Sequence, residues 1–293
     1  MLRMKTEHKL VLFIVPALAV YLFFFITPML LGIYYSFTDW DGLSPYSNFI
    51  GLSNYFAIFR DQNTMRAVGN TLIYTIVVTS LSIVIGFIFA LLVEKATRGN
   101  RIFRTLIFIP AIMSPVVASF IWRYMYSPHI GVINSVLRAV GLDFLANDWL
   151  GDPRLALMAV MVVPLWQWGG NVMIVFLAGL MNISPEYHEA GKMDGASKLQ
   201  EIRHITLPLL RPALVFNVVI STIGSFRTFD FIFILTNGGP GFFTEVLTLR
   251  VYKYMLYTTR FGYGSAIAML LTLLMITFAL TELWLINRKA NEY

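Results

Sequence analysis

The chain contains no cysteine among its 293 residues, and only 13% of them are charged. Without cysteine it forms no disulfide, no thiolate metal site and no cysteine nucleophile, and the redox compartment is left open. Soluble domains carry about 25% charged residues, so a chain this size has too few to cover a water-facing surface. The four histidines, His8, His129, His188 and His204, lack metal-ligand spacing, and none stands in an H-E-x-x-H run. There is no G-x-x-x-x-G-K-[ST] sequence to hold nucleotide. Gly238-Gly239-Pro240-Gly241 is broken by proline, has no Lys-Ser/Thr after it, and reads as a turn. No hydrolytic constellation is visible, so no enzyme activity and no cofactor of its own are expected. The net charge of +6 includes no dense basic run, which argues against nucleic acid as a partner.

What the chain has is apolar length. It is 57% hydrophobic and 15% aromatic, with a mean hydropathy of +0.70. A helix rises about 1.5 Å per residue, so about 20 apolar residues cross the hydrocarbon core. Charge-free gaps of 29, 27, 18, 31 and 21 residues separate Lys9 from Asp39, Arg66 from Glu94, Arg104 from Arg123, Arg154 from Glu186 and Arg260 from Glu282. A sixth stretch, Pro212 to Leu235, is apolar except for Arg227 and Asp230, which three-residue spacing can bring together on one helical face. The expected fold is an all-α integral membrane protein with six transmembrane helices in a single domain over 1–293. The spans fall at about 10–36, 70–93, 105–124, 155–181, 210–235 and 262–286. Ala17-Leu18-Ala19 resembles a cleavage site, but the apolar run continues well past it, so an uncleaved first span is expected. The segment PYSNFIGLSNYFAIFRD after it is amphipathic and aromatic, which suits the outer interface.

Orientation follows from Lys and Arg. With the amino end inside, the inner segments hold 13 of them, including Arg3, Lys5, Lys9 and Lys289, and the outer segments hold 8. Both termini are expected in the cytoplasm.

The most polar stretch is the cytoplasmic loop 182–211, between spans four and five. Ser184 can cap a helix that begins with Pro185 and carries Glu186 in its first turn. Gly195 can end that helix, and a second helix from about Ser197 is expected to stop at Thr206-Leu207, before Pro208. Inside the bundle, polar groups stand on helical faces. Gln167 and Asn171 are four apart on span four with Trp168 beside them, and Asn217, Ser221, Ser225 and Thr228 follow at steps of four, four and three on span five. Ser114 and Ser119 offer weaker candidates on span three. Small polar residues in membrane helices also serve as packing contacts.

Glu189-Ala190-Gly191, then Gly195, then Ile205-Thr206-Leu207-Pro208 resemble the EAA signature E-A-A-x3-G-x9-I-x-L-P of the membrane subunits of binding-protein-dependent ABC importers. Gly191 departs from the signature's second alanine, and glycine loosens a helix by about 1 kcal/mol. Met193-Asp194-Gly195-Ala196-Ser197, Phe226-Arg227-Thr228-Phe229-Asp230, Leu235-Thr236-Asn237-Gly238-Gly239-Pro240 and Phe261-Gly262-Tyr263-Gly264 are similar to the carbohydrate-importer branch, which extends the likeness over nearly the whole chain.

The resemblance implies a type I importer permease fold with a cytoplasmic coupling helix pair, in a bacterial cell membrane. It implies a second homologous permease subunit, two copies of a cytoplasmic ATP-binding subunit that bind the ATP, an extracytoplasmic solute-binding protein and a sugar substrate, with lipid around them. Carried over by position, Glu189, Ala190, Gly191, Asp194 and Gly195 couple to the ATPase. Ser114, Gln167, Trp168, Asn171, Ser221, Ser225 and Thr228 line the substrate path. The alternative is a secondary transporter driven by an ion gradient through Asp230 or Glu282.

Overall fold

The computed structural model describes residues 14–95 and 97–288. The expected start of span one at residue 10, and the charges Arg3, Lys5, Lys9 and Lys289, lie outside them. Four helices are long and apolar enough to cross a membrane: α1 (Ile14–Ser36), α3 (Gln62–Val93), α7 (Ala156–Met181) and α13 (Phe261–Arg288). Two bent pairs pass the same test together. They are α4 (Arg98–Ile112) with α5 (Pro115–Met125), bent by 100°, and α9 (Lys198–Leu209) with α10 (Arg211–Phe226), bent by 72°. Shorter helices are α2 (Ser53–Arg60), α6 (Val132–Ala139), α8 (Pro185–Met193), α11 (Asp230–Leu235) and α12 (Leu247–Leu256).

The second and fourth crossings follow the apolar pattern, α7 within a residue of its expected start. The third and fifth do not run straight. Met113 and Ser114 leave the helical region, and Ser114 restarts the chain as the N-cap of α5 by accepting the Val117 N–H at 3.3 Å, with Pro115 at the position where no N–H is needed. The expected fifth span over 210–235 ends at Phe226, and α11 starts afresh at Asp230. Arg227 and Asp230 therefore share no helical face. No salt bridge joins them among the described residues.

The described residues divide into two compact units. One holds the residues up to Gln62 together with Arg250–Thr272. After α1 its chain doubles back through a single antiparallel bridge between Thr38 and Phe49. Asn54, at 6% exposure, donates to the Ser36 and Thr38 carbonyls at 3.0 and 2.8 Å, so the orphan carbonyls at the end of α1 find a partner. Asp61 Oδ2 collects Arg250 Nη2 at 2.6 Å and the Tyr254 hydroxyl at 2.9 Å.

The other unit holds Asn63–Leu249 and the residues after Thr272. Its core joins Ala90 and Val93 of α3, Val172, Met173, Phe176, Leu177 and Leu180 of α7, and Leu210. Two glycines let backbones approach. A β-carbon on Gly170 would lie 2.6 Å from the Ile107 carbonyl oxygen, and one on Gly86 would lie 2.4 Å from Val172 Cγ1. Arg104 closes the end of α3 by donating to the Val93 and Glu94 carbonyls.

Candidate functional site: an open cavity and an exposed elbow

The second unit encloses a cavity of about 590 Å³. Span four contributes Pro164, Trp168, Asn171, Val172 and Val175, a stripe at helical spacing on α7. Span five contributes Asn217, Ser221 and Ser225, followed past the end of α10 by Arg227, Thr228 and Asp230. Five of the seven residues that the sequence singles out for a substrate path thus line one space: Trp168, Asn171, Ser221, Ser225 and Thr228.

The other two stand elsewhere. Ser114 caps α5. Gln167, only 1% exposed, turns to the break in span three and donates from Nε2 to the Met113 carbonyl at 2.6 Å, while its Oε1 is buried without a partner. A break in a membrane helix frees backbone carbonyls that lipid cannot satisfy, and Gln167 answers one of them. Four-residue spacing put Gln167 and Asn171 on one face, but the cavity lies over Trp168, Asn171 and Val175, and Gln167 sits at its edge toward α4 and α5.

Sequence reasoning missed the cavity wall from span two, where Tyr74, Val78 and Ser82 face the space. Tyr74 accepts the Thr228 hydroxyl at 3.0 Å, and Thr79 meets Ser225 at 3.3 Å. Beside that wall runs a buried small-polar stripe, Thr71, Thr75, Thr79 and Ser82 at steps of four, four and three, of which Ser82 reaches the cavity. A mean-hydropathy window averages it away among the surrounding isoleucines and valines.

The loop between spans four and five forms an elbow of two short helices, α8 and α9. Ser184 stands at the N-cap of α8 in an extended conformation, with Pro185 after it, but its hydroxyl makes no capping bond. Gly195 ends the helix at φ +75, and the Ala196 N–H reaches back to the Gly191 carbonyl at 2.9 Å. Ser197 begins α9 with its N–H donated to Gln200 Oε1 at 2.8 Å.

Pro208 does not stop α9. Over Ile202–Thr206 the helix widens, and the Leu207 N–H bonds the Ile202 carbonyl five residues back, so Pro208 falls in a first turn that needs no N–H from it. The break comes at Leu210 instead.

Glu189, Ala190, Asp194 and Gly195 are exposed on this elbow, and Gly191 is buried. Met193 and Leu199 are 83% and 75% exposed, an apolar pair beside the carboxylates of Glu189 and Asp194. His188 bonds Glu201 across the bend. The elbow is thus tied internally and presents acidic and apolar groups outward.

Solved structures of similar shape define the fold. A chain from a bacterial ABC transporter involved in the import of the acidic polysaccharide alginate matches with a TM-score of 0.84 at 23% identity, over 98% of this chain and 97% of that one. The fold is that of a type I ABC importer permease. Residues 82–289 match the family described as binding-protein-dependent transport system inner membrane component. The multiple sugar-binding transport system permease protein MsmF of Streptococcus mutans is 35% identical over 259 residues, 88% of each chain. The trehalose/maltose transport system permease protein MalF of Thermococcus litoralis is 31% identical over 272 residues, 93% of this chain and 91% of that one. The chain belongs to this family of binding-protein-dependent ABC permeases: it is a multi-pass membrane transport component and not an enzyme.

Proposed function

We propose that this chain pairs with a second, homologous permease subunit to enclose the translocation path of a sugar or oligosaccharide, which an extracytoplasmic binding protein delivers. Two cytoplasmic ATP-binding subunits hold the ATP, and the elbow of α8 and α9 docks one of them through the exposed Glu189, Ala190, Asp194 and Gly195, while the buried Gly191, grouped with them in the sequence, packs the elbow from within. Both termini then lie in the cytoplasm, on the elbow's side.

One observation carries the reading: α10 bears cavity residues along its length and joins the elbow at its foot through Leu210. A body that moves the elbow therefore tilts a wall of the cavity. The lining suits a sugar, because Trp168 offers an aromatic face and Asn171, Asn217, Ser221 and Ser225 offer hydroxyl-matching groups in an otherwise apolar space. The relatives named for sugars support the substrate class.

Reconstituting the chain with the permease, ATPase and binding protein encoded beside it, and measuring uptake of radiolabelled maltose, trehalose and maltotriose, tests the proposal. Uptake that requires ATP and the binding protein supports it. Uptake that persists without the ATPase and collapses with an ionophore overturns it in favour of a gradient-driven carrier.

A further inference from the structure

The cavity and the elbow leave Glu282 unused, a half-buried carboxyl of α13. Glu282 closes the charge-free run of α13, near the inner end of the sixth crossing. Its Oε1 accepts the hydroxyl of Thr222, a residue of α10 with no exposure, at 2.9 Å. Its Oε2 is buried and has no partner. An intramembrane carboxyl is costly and calls for a role.

Two further contacts join the same helices. Phe226 stacks edge-on against Phe278 at 5.3 Å, one turn farther along each helix. At the foot of α10, Arg211 donates to the Ile286 carbonyl near the end of α13. As residue numbers rise along α10 they fall along α13, so the three contacts form one antiparallel seam.

The seam lies opposite the cavity. At about 100° per residue, Phe216, Asn217, Ile220, Ser221, Gly224 and Ser225 spread over one half of α10, whereas Arg211, Thr222 and Phe226 cluster in the other. Any tilt of α10 that opens or narrows the cavity therefore pulls on span six.

Resting on the coupling role proposed above, we infer that Glu282 is a positioning residue: through Thr222 it locks span six to span five, so that the two move as one body when the elbow is driven. Its part is that of a hydrogen-bond acceptor, which an amide can fill. Arg211 lies at the elbow, where the drive enters; Glu282 lies farther up, beside the stretch of α10 that lines the cavity. Loss of the upper bond leaves the drive applied at the foot with span six free to lag.

The natural absence of cysteine allows a direct test. Spin labels at Val218→Cys on α10 and Leu280→Cys on α13 lie outside the cavity lining. Their separation is measured in the complete importer, nucleotide-free and with ATP and vanadate trapped on the ATPase. A second pair, across the cavity at Phe108→Cys and Ile220→Cys, reports whether the nucleotide moves the path.

The inference predicts that the cavity pair shifts between states while the 218–280 separation stays narrow and unchanged. With Glu282→Leu or Thr222→Val the 218–280 separation broadens or shifts with nucleotide, and with Glu282→Gln it behaves as in the parent. A 218–280 separation that shifts in the parent, or that stays unchanged in Glu282→Leu and Thr222→Val alike, overturns the lock. Loss of the lock on Glu282→Gln, with the protein still folded, overturns the acceptor role and favours a role for the charge or the proton. An unmoved cavity pair in the parent instead defeats the coupling proposal on which the lock rests.

Discussion

A β-carbon on Gly191 would stand 2.7 Å from Cδ1 of Ile205, so the two helices of the elbow meet where one of them has no side chain. This is the position at which the sequence departs from the family's second alanine. Helix propensity alone reads the glycine as a softening. The geometry gives it a second function, a close approach of α8 to α9 beneath the exposed carboxylates, and His188 and Glu201 join the helices at a second point.

The obstructing atom is the free end of a flexible side chain, so Gly191→Ala is expected to be tolerated. The terminal methyl of Ile205 swings aside, and the helix gains up to about 1 kcal/mol of propensity. Gly191→Leu overfills the contact and is expected to cost about 1–3 kcal/mol. ATPase retained on the purified chain should match the parent for the alanine variant and fall for leucine.

Gly195 poses the opposite case. Nothing lies within 4 Å of a β-carbon there, yet φ is +75. Gly195→Ala should therefore cost about 1–2 kcal/mol through conformation alone, and Gly195→Asn less, because asparagine visits this region more readily. Binding-protein-stimulated ATP hydrolysis should rank glycine, asparagine, alanine. Equal activity of all three would show that the bend is not held at positive φ.

Within the bundle, Gly169 and Gly170 are adjacent and differ. A β-carbon on Gly169 has no neighbour closer than 3.8 Å, whereas one on Gly170 lies 2.6 Å from a backbone oxygen of α4 that cannot turn aside. Gly170→Ala is expected to lower stability by about 1–3 kcal/mol and Gly169→Ala to change it little. Thermal melting followed by size-exclusion chromatography separates the two.

Outside the membrane-spanning helices, Asp41 accepts the Ser44 hydroxyl at 2.7 Å, the Ser44 N–H at 2.7 Å and the Leu43 N–H at 2.9 Å. The Ser44 hydroxyl foremost, and then the two amides, hold its carboxyl down at about 2 from 3.8. A carboxyl lowered on folding contributes stability above its unfolded value and loses it as pH falls through the folded one. The turn should therefore persist from neutral pH to about 4 and open between about 4 and 2. Trp40, whose indole donates to the Ser44 carbonyl at 2.9 Å, reports on it in a variant with that tryptophan alone. Asp41→Asn should abolish the acid transition.

The apolar gaps in the sequence begin within a residue of where α7 and α13 begin, because in lipid an apolar run is itself the structural constraint. They could not show the breaks at Met113-Ser114 or Arg227–Phe229. A break in a membrane helix is permitted by distant partners, such as Gln167 reaching the Met113 carbonyl, and spacing along one strand of sequence carries no record of them. The elbow was legible because its turn chemistry is local: glycine at the bend, proline at the first position, serine before each helix. The cavity was legible on spans four and five, where polar residues recur against tryptophan, and illegible on span two, where Tyr74 and Ser82 face it from within an apolar run.

The central claim is that the elbow is the handle by which a separate ATPase works this path. With no native cysteine, Ala190→Cys places a single thiol on the exposed face of α8. A short bifunctional reagent applied to the assembled transporter in inside-out vesicles should join position 190 to the ATP-binding subunit, with a yield that changes when ATP and vanadate are trapped. Labelling of that thiol by an impermeant reagent in right-side-out vesicles, with no cross-link to the ATPase, would contradict it.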